Sequence, residues 1–265
     1  MNWLYTIDPP LSGEENMQRD EAMAEACLED RQPRLRFYTW RRPTLSLGFN
    51  QKDRRVLKSA IEEHDYDLVR RPTGGRAVLH ADEITYGVAM PGAGRGVHET
   101  YGRISRALAR GFRILGADGV TFARSTPDFR DHYRTTESEG CFSASALNEL
   151  LFDGRKLVGS AQRRYGDILL QHGSILLGPA HLKIVDLLDL SDEVRNEMRR
   201  RLAGGTATLS EAIDGEMPAI EAIAEGLRRG FAAEFDVAIT ESDDITTPVT
   251  STHRRVLSTE SETTV

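Results

Sequence analysis

Two hydrophobic periods alternate along the chain. Met17, Met23, Ala24, Cys27 and Leu28 fall near one face of a helix over about 16–30. Short apolar runs follow at 35–38 and 44–48, which predict strands, and a helix is expected near 54–64. Asp67-Leu68-Val69 reads as a strand end, Ala77-Val78-Leu79 as the start of the next strand, and 84–89 as another strand. From Val97 to Leu115, Tyr101, Ile104, Leu108, Phe112 and Leu115 recur every three or four residues, and Gly116 supplies a C-cap. Two strands are expected around Lys156 and His172, then helices at about 182–190, 192–202 and 218–235. The fold class predicted is α+β, a mixed β-sheet core flanked by helices. Residues 1–240 are expected to form one domain. Residues 241–265 are rich in Ser, Thr, Asp and Glu and read as a disordered tail. The polar stretch 125–139 reads as a surface loop, with a mobile lid as the alternative.

Composition narrows the classes. The chain has 265 residues, 39% of them hydrophobic, enough for one large core. A net charge of −7 argues against a general nucleic-acid binder. No apolar run approaches membrane length, and Met1-Asn2-Trp3-Leu4 lacks a basic region with an apolar core behind it. A soluble, cytoplasmic protein is expected, acting as a monomer. The two cysteines, Cys27 and Cys141, make no disulfide framework. Seven histidines and two cysteines show no close ligand spacing, so no metal site is predicted.

The densest candidate chemistry is Arg70-Arg71-Pro72-Thr73-Gly74-Gly75-Arg76-Ala77-Val78-Leu79-His80. Two glycines allow a ligand to approach bare backbone, and Arg70 and Arg71 offer planar forks for carboxylate or phosphate oxygens. On local chemistry alone, paired glycines between short apolar runs are usually just a hairpin. A second block runs Gly154-Arg155-Lys156-Leu157-Val158-Gly159-Ser160-Ala161-Gln162, followed by Leu169-Leu170-Gln171-His172-Gly173-Ser174-Ile175-Leu176. The chain holds 34 basic residues, of which only Lys52, Lys58, Lys156 and Lys183 are lysines. A lysine retained beside Gly159 and Ser160 suits the polarisation of a carbonyl, whereas a solvated lysine at the Asp153-Gly154 turn is the plain alternative. Gly159-Ser160-Ala161 lacks the second glycine of a serine-hydrolase elbow.

In wording, order and spacing these two blocks resemble the lipoate-protein ligase and octanoyltransferase family, from about Asp20 to about Ala233. The resemblance implies a biotin/lipoate protein ligase-like catalytic domain. It implies Arg70, Arg71, Thr73, Gly74, Gly75, Arg76, His80, Gly159, Ser160 and His172 as substrate-binding residues and Lys156 as catalytic. Cys141-Phe142 stands about 15 residues before Lys156. One group of octanoyltransferases carries its acyl-bearing nucleophile in such a Cys-Phe dipeptide, so Cys141 is the expected nucleophile and Cys27 a core residue. Those relatives show Trp-Tyr-Glu after the cysteine where this chain has Leu147-Asn148-Glu149.

The implied reaction moves an octanoyl group from acyl carrier protein, through a thioester on Cys141, to a lysine of a lipoyl-domain protein such as the glycine-cleavage H protein. Tyr38, Trp40 and Val78 are candidates to line the acyl groove. No cofactor is expected, and ATP and Mg belong only to the alternative, a ligase acting through an acyl-adenylate. A non-catalytic acyl- or carrier-binding relative is the third reading, disfavoured by the intact Lys156 and glycine loop. A biotin ligase is disfavoured because its Gly-Arg-Gly-Arg type loop is absent.

Overall fold

The computed structural model describes residues 2–123 and 148–249. Helix α1 (Gly13–Asp30) opens on a capping box in which Ser12 and Glu15 satisfy each other's end of the helix, and it stops at Arg31 in the left-handed region. Its buried stripe includes Asn16 and Asp20 beside Met17, Met23, Ala24 and Cys27. Strands β1 (Asn2–Ile7), β2 (Arg34–Tyr38), β6 (Glu83–Pro91), β10 (Val158–Tyr165), β11 (Ile168–Leu176) and β12 (Ala238–Glu241) form a six-stranded sheet. Its order is β10-β11-β6-β2-β1-β12. The β10-β11-β6-β2 half is antiparallel, and β2, β1 and β12 run parallel, so the sheet is mixed as expected.

Both faces of this sheet are covered, which gives each strand two kinds of buried neighbour. On one face Leu35, Phe37, Tyr86, Val88 and Ile175 pack under α3 (Val97–Ile114) and a C-terminal helix over Ile220–Phe235. On the other, Ala89, Ile168 and Leu170 pack under Met23, Ala24 and Cys27 of α1. The polar residues Asp20, Arg36, Tyr38 and His172 are joined by hydrogen bonds beneath the same helix. A covered polar face of this kind is where a site can be built, because every group there needs a partner.

The paired glycines do not make a hairpin. Strand β3 (Thr44–Leu47) lies between β4 (Asp67–Arg70), which is parallel to it, and β5 (Val78–His80), which is antiparallel. The glycine loop therefore crosses over the end of β3 rather than reversing the chain onto its neighbour. Behind this small sheet lie a helix α2 of only Lys58–Glu63, shorter than the 54–64 expected, and a 3-10 helix over Pro179–Leu187, where an α-helix at about 182–190 was expected. Their cluster, with Ile184, Val185 and Leu187 against Leu45, Leu47 and Leu79, fixes the sheet from below. A third sheet joins β7 (Val120–Phe122), β8 (Leu150–Phe152) and β9 (Arg155–Lys156). The remaining helices are α4 (Asp192–Gly205), α5 (Leu209–Ala212) and α6, the Ile220–Phe235 helix.

The tail expected from residue 241 requires correction. Through Val249 the chain is docked: Ile245 is fully buried in the α1 cluster, and Val249 donates its amide to Asp30 at 2.7 Å. One apolar residue and an acceptor at the helix end suffice to hold a segment whose composition reads as disordered. Among the described residues no helix is long and apolar enough to cross a membrane.

Candidate active site

A narrow cleft opens on the face beneath α1. Its lining runs from Gly159, Ser160 and Ala161 of β10, past His172 and Ser174 of β11 and Thr85 of β6, to Tyr38 and Trp40 at the end of β2. Met17, Arg71, Val78, His80 and Gly173 complete it. The apolar members from the predicted groove, Tyr38, Trp40 and Val78, are all present. Five of the predicted binding residues meet here as well: Arg71, His80, Gly159, Ser160 and His172.

Two buried histidine–carboxylate pairs brace the cleft. His172 Nδ1 lies 2.7 Å from Asp20 Oδ2, and a carboxylate only accepts, so Nδ1 carries the hydrogen. Burial lowers the His172 pKa and keeps the ring neutral, which leaves Nε2 to accept from the Thr73 hydroxyl at 2.6 Å. Burial also works against the charge on Asp20, but Arg36 at 2.9 Å and the bonds from His172 and Tyr38 outweigh it and hold the carboxyl ionised. The second pair joins His80 Nδ1 to Glu83 Oε1 at 2.9 Å, with His80 Nε2 2.7 Å from Ser46 Oγ. Ser174 also donates to Glu83. Trp40 lies flat on His80, 4.1 Å between ring centroids and 19° apart. Its Nε1 donates to Thr85 at 2.9 Å and Glu83 at 3.1 Å. The indole is a fixed wall.

The glycine loop is held from inside. Arg71 is 3% exposed and donates to the carbonyls of Gly74 (2.7 Å), Arg76 (2.6 Å) and Ser46 (3.2 Å). Arg70 turns to the carbonyls of Gly48 and Gln51, both at 2.7 Å. The two arginines thus donate to backbone carbonyls, where the sequence pattern suggested forks aimed at a ligand. Carbonyls left at the end of β3 by the crossing loop need donors, and arginine reaches several at once. Gly75 sits at φ 93°, and its carbonyl comes so close to Gly48 that a Cβ there would stand 2.0 Å from it. Arg71→Ala is therefore expected to cost about 3 kcal/mol of stability, since charge-assisted bonds are worth roughly 1.5–3 kcal/mol each. Urea unfolding checks this; a loss below about 0.5 kcal/mol, the level of ordinary surface substitutions, would mean the loop holds itself.

Lys156 is not a solvated turn lysine. It is 4% exposed, and its Nζ lies 2.6 Å from Oε1 of Glu149, itself 5% exposed. It does not line the cleft but stands just ahead of Gly159 and Ser160, which do. Cys141 lies outside the described residues. Gly173 is needed where the Tyr86 hydroxyl meets Ser160 Oγ at 2.7 Å; a Cβ there would come within 2.6 Å of Oγ.

Sequence reading missed Asp20, Arg36, Glu83, Ser46 and Glu149. A signal existed for Asp20, an acid on the apolar stripe of a helix. Glu149 was visible as the one position of Leu147-Asn148-Glu149 that agrees with the relatives' Trp-Tyr-Glu.

The family described as lipoyl protein ligase A/B catalytic domain matches residues 12–232. "Octanoyltransferase LipM" of Kyrpidia tusciae is 40% identical over 224 residues, covering 82% of this chain and 81% of that protein. The protein of the same name from Bacillus subtilis is 35% identical over 244 residues, covering 89% and 86%. Among solved structures, the bipartite lipoate protein ligase of Thermoplasma acidophilum has a TM-score of 0.70 at 19% identity, covering 91% of this chain and 86% of that one. The last likeness shows the fold, and the first three observations together show that this chain belongs to the lipoyl protein ligase A/B catalytic domain family.

Proposed function

We propose that the chain is an octanoyltransferase of protein lipoylation, moving an octanoyl group from acyl carrier protein to a lysine of a lipoyl domain. Relatives named octanoyltransferase at 35–40% identity over most of both chains support the reaction class. The observation that carries it to atoms is the cleft, which is apolar along Met17, Tyr38, Trp40 and Val78 and includes Gly159 and Ser160 of β10, the strand that follows Lys156 in the chain.

In this reading the Cys141 thiolate attacks the thioester carbonyl, the carrier's thiol leaves, and an octanoyl-enzyme thioester remains. The ε-amine of the acceptor lysine then attacks that thioester, the C–S bond breaks, an amide forms, and the Cys141 thiolate is released as the amine's proton passes to solvent. Lys156 Nζ, with backbone amides near Gly159 and Ser160, stabilises the oxyanion of both steps. Thioester exchange is near neutral and amide formation is downhill, so neither nucleotide nor metal is consumed. The test is product formation on an apo lipoyl domain. Octanoyl carrier protein without nucleotide should give octanoylated acceptor, and free octanoate with Mg-ATP should not. Activity only from the free acid with ATP would make the chain a ligase.

Trp40 sets a length limit in the same reading. From β10 to β2 the cleft crosses three strand spacings, about 14 Å. An extended chain advances about 1.25 Å per carbon at ordinary C–C bond lengths, so eight carbons and the wall's own thickness fill that span. Trp40→Ala should raise the kcat/KM of dodecanoyl relative to octanoyl carrier protein by about tenfold or more, within the range that pocket size supplies. An unchanged ratio would place the end of the chain elsewhere.

A further inference from the structure

Among the described residues, Phe49, Ile114 and Val249 are the large apolar side chains that stand exposed, Phe49 at 42%. Phe49 is tied to the site: its amide donates to the Thr73 carbonyl at 2.9 Å, and the Thr73 hydroxyl bonds His172 in the cleft. The Arg163 guanidinium lies 4.3 Å over the Phe49 ring. Arg70, also exposed, reaches the Phe49 carbonyl at 3.2 Å, and Lys52, Arg54 and Lys58 stand exposed on the same connection. The acids beside them are Asp53, 4.0 Å from Lys58, Glu21 of α1, which interacts with Arg163, and the exposed Glu62 and Glu63 of α2, against the five cations named and Arg55. The chain as a whole carries −7, yet this rim beside the cleft is positive and holds two of the four lysines. An exposed aromatic ringed by cations is the composition of a protein-binding centre rather than of an ordinary solvated face.

We propose that this rim, Phe49 with Lys52, Arg54, Lys58, Arg70 and Arg163, docks the acyl donor, an acidic carrier protein bearing its thioester on a phosphopantetheine arm. The inference rests on the reading that the donor is carrier-bound. Charge chooses the donor over the acceptor. A phosphodiester and an acidic helix gain from these cations, whereas an acceptor must bring a lysine ammonium to the same cleft and is repelled by them. The net negative charge elsewhere keeps an acidic carrier off the remaining surface, so the rim also orients the encounter.

The test compares the parent with the triple variant Lys52→Glu/Arg54→Glu/Lys58→Glu, all exposed positions outside the cleft. Initial rates are measured with octanoyl carrier protein and with octanoyl-pantetheine, which has the same thioester but neither phosphate nor carrier. The variant should raise KM for octanoyl carrier protein about tenfold with kcat within about twofold. The parent's KM should rise with salt between about 50 and about 500 mM, and the variant should lose that rise. Rates with octanoyl-pantetheine and KM for the apo lipoyl domain should stay at parental values. An unchanged donor KM, a rise in acceptor KM instead, or equal loss with both donors would each overturn the assignment. A parent that ignores octanoyl carrier protein but uses free octanoate with ATP overturns the underlying reading, and is told apart by that pattern.

Discussion

Cys141→Ala is expected to abolish octanoyl transfer, while Cys27→Ala keeps turnover within about twofold and loses only stability. The chain has two cysteines, and they differ in kind. Cys27 is fully buried on the inner face of α1 with Met23 and Ala24, against Ala89 and Leu170 of the sheet. Burial pushes its thiol up to about 12. Near neutral pH that leaves about one thiolate in 10⁵, and the sulfur has no path to a thioester. A nucleophilic cysteine, if the reaction uses one, is then Cys141. The serine variant separates nucleophile from shape, since Cys141→Ser keeps the size but an alkoxide is far harder to form; it should be as inactive as alanine. Cys27→Ala removes one packed sulfur and should cost about 1–2 kcal/mol of unfolding free energy. Turnover with octanoyl carrier protein and thermal melting of all three variants check this. Residual transfer above about a hundredth in Cys141→Ala would argue for direct attack by the acceptor amine on the donor.

Lys156→Arg should be nearly as damaging to turnover as Lys156→Ala, and the two should part company in stability. An oxyanion beside a thioester needs a compact donor, and a guanidinium holds its nitrogens farther out. Loss of one such donor costs about 2.7–4 kcal/mol, a hundred- to a thousandfold in rate. Stability follows the buried pair with Glu149. Lys156→Ala leaves that carboxylate buried and unpaired, at a cost of about 3–5 kcal/mol, whereas arginine keeps a cation opposite it. The double variant Lys156→Ala/Glu149→Ala should melt closer to the parent and remain inactive. Parallel kcat and melting measurements decide it. If Lys156→Arg keeps more than about a tenth of parental turnover, Lys156 supplies only diffuse positive charge and the donor role passes to backbone amides.

The period-two and period-3.6 patterns located α1, β2, β6, α3, β10 and β11, the elements that frame the cleft. What they could not show was pairing. Two short apolar runs around Gly74 and Gly75 look like a hairpin because sequence records adjacency, not that β3 slides between them. Arg36 alternates with Leu35 and Phe37, a pattern that reads as solvent-facing. It is fully buried because α1 covers that face and brings Asn16 and Asp20 to it. Residue type located the site's neighbourhood, but roles depended on which partner each group met. Arg71 looks like a ligand fork and binds carbonyls, and Lys156 looks exposed until Glu149 is placed beside it. Ile245 shows the same limit at the C-terminal end, where one buried side chain reverses what composition implies.

Mass spectrometry of the intact protein mixed with octanoyl carrier protein, with neither nucleotide nor acceptor present, tests the central claim most directly. One added octanoyl group should appear, map to the peptide holding Cys141, and disappear when an apo lipoyl domain is added as that domain gains the same mass. No adduct on the enzyme, with acceptor still modified only when ATP and free octanoate are supplied, would contradict the account.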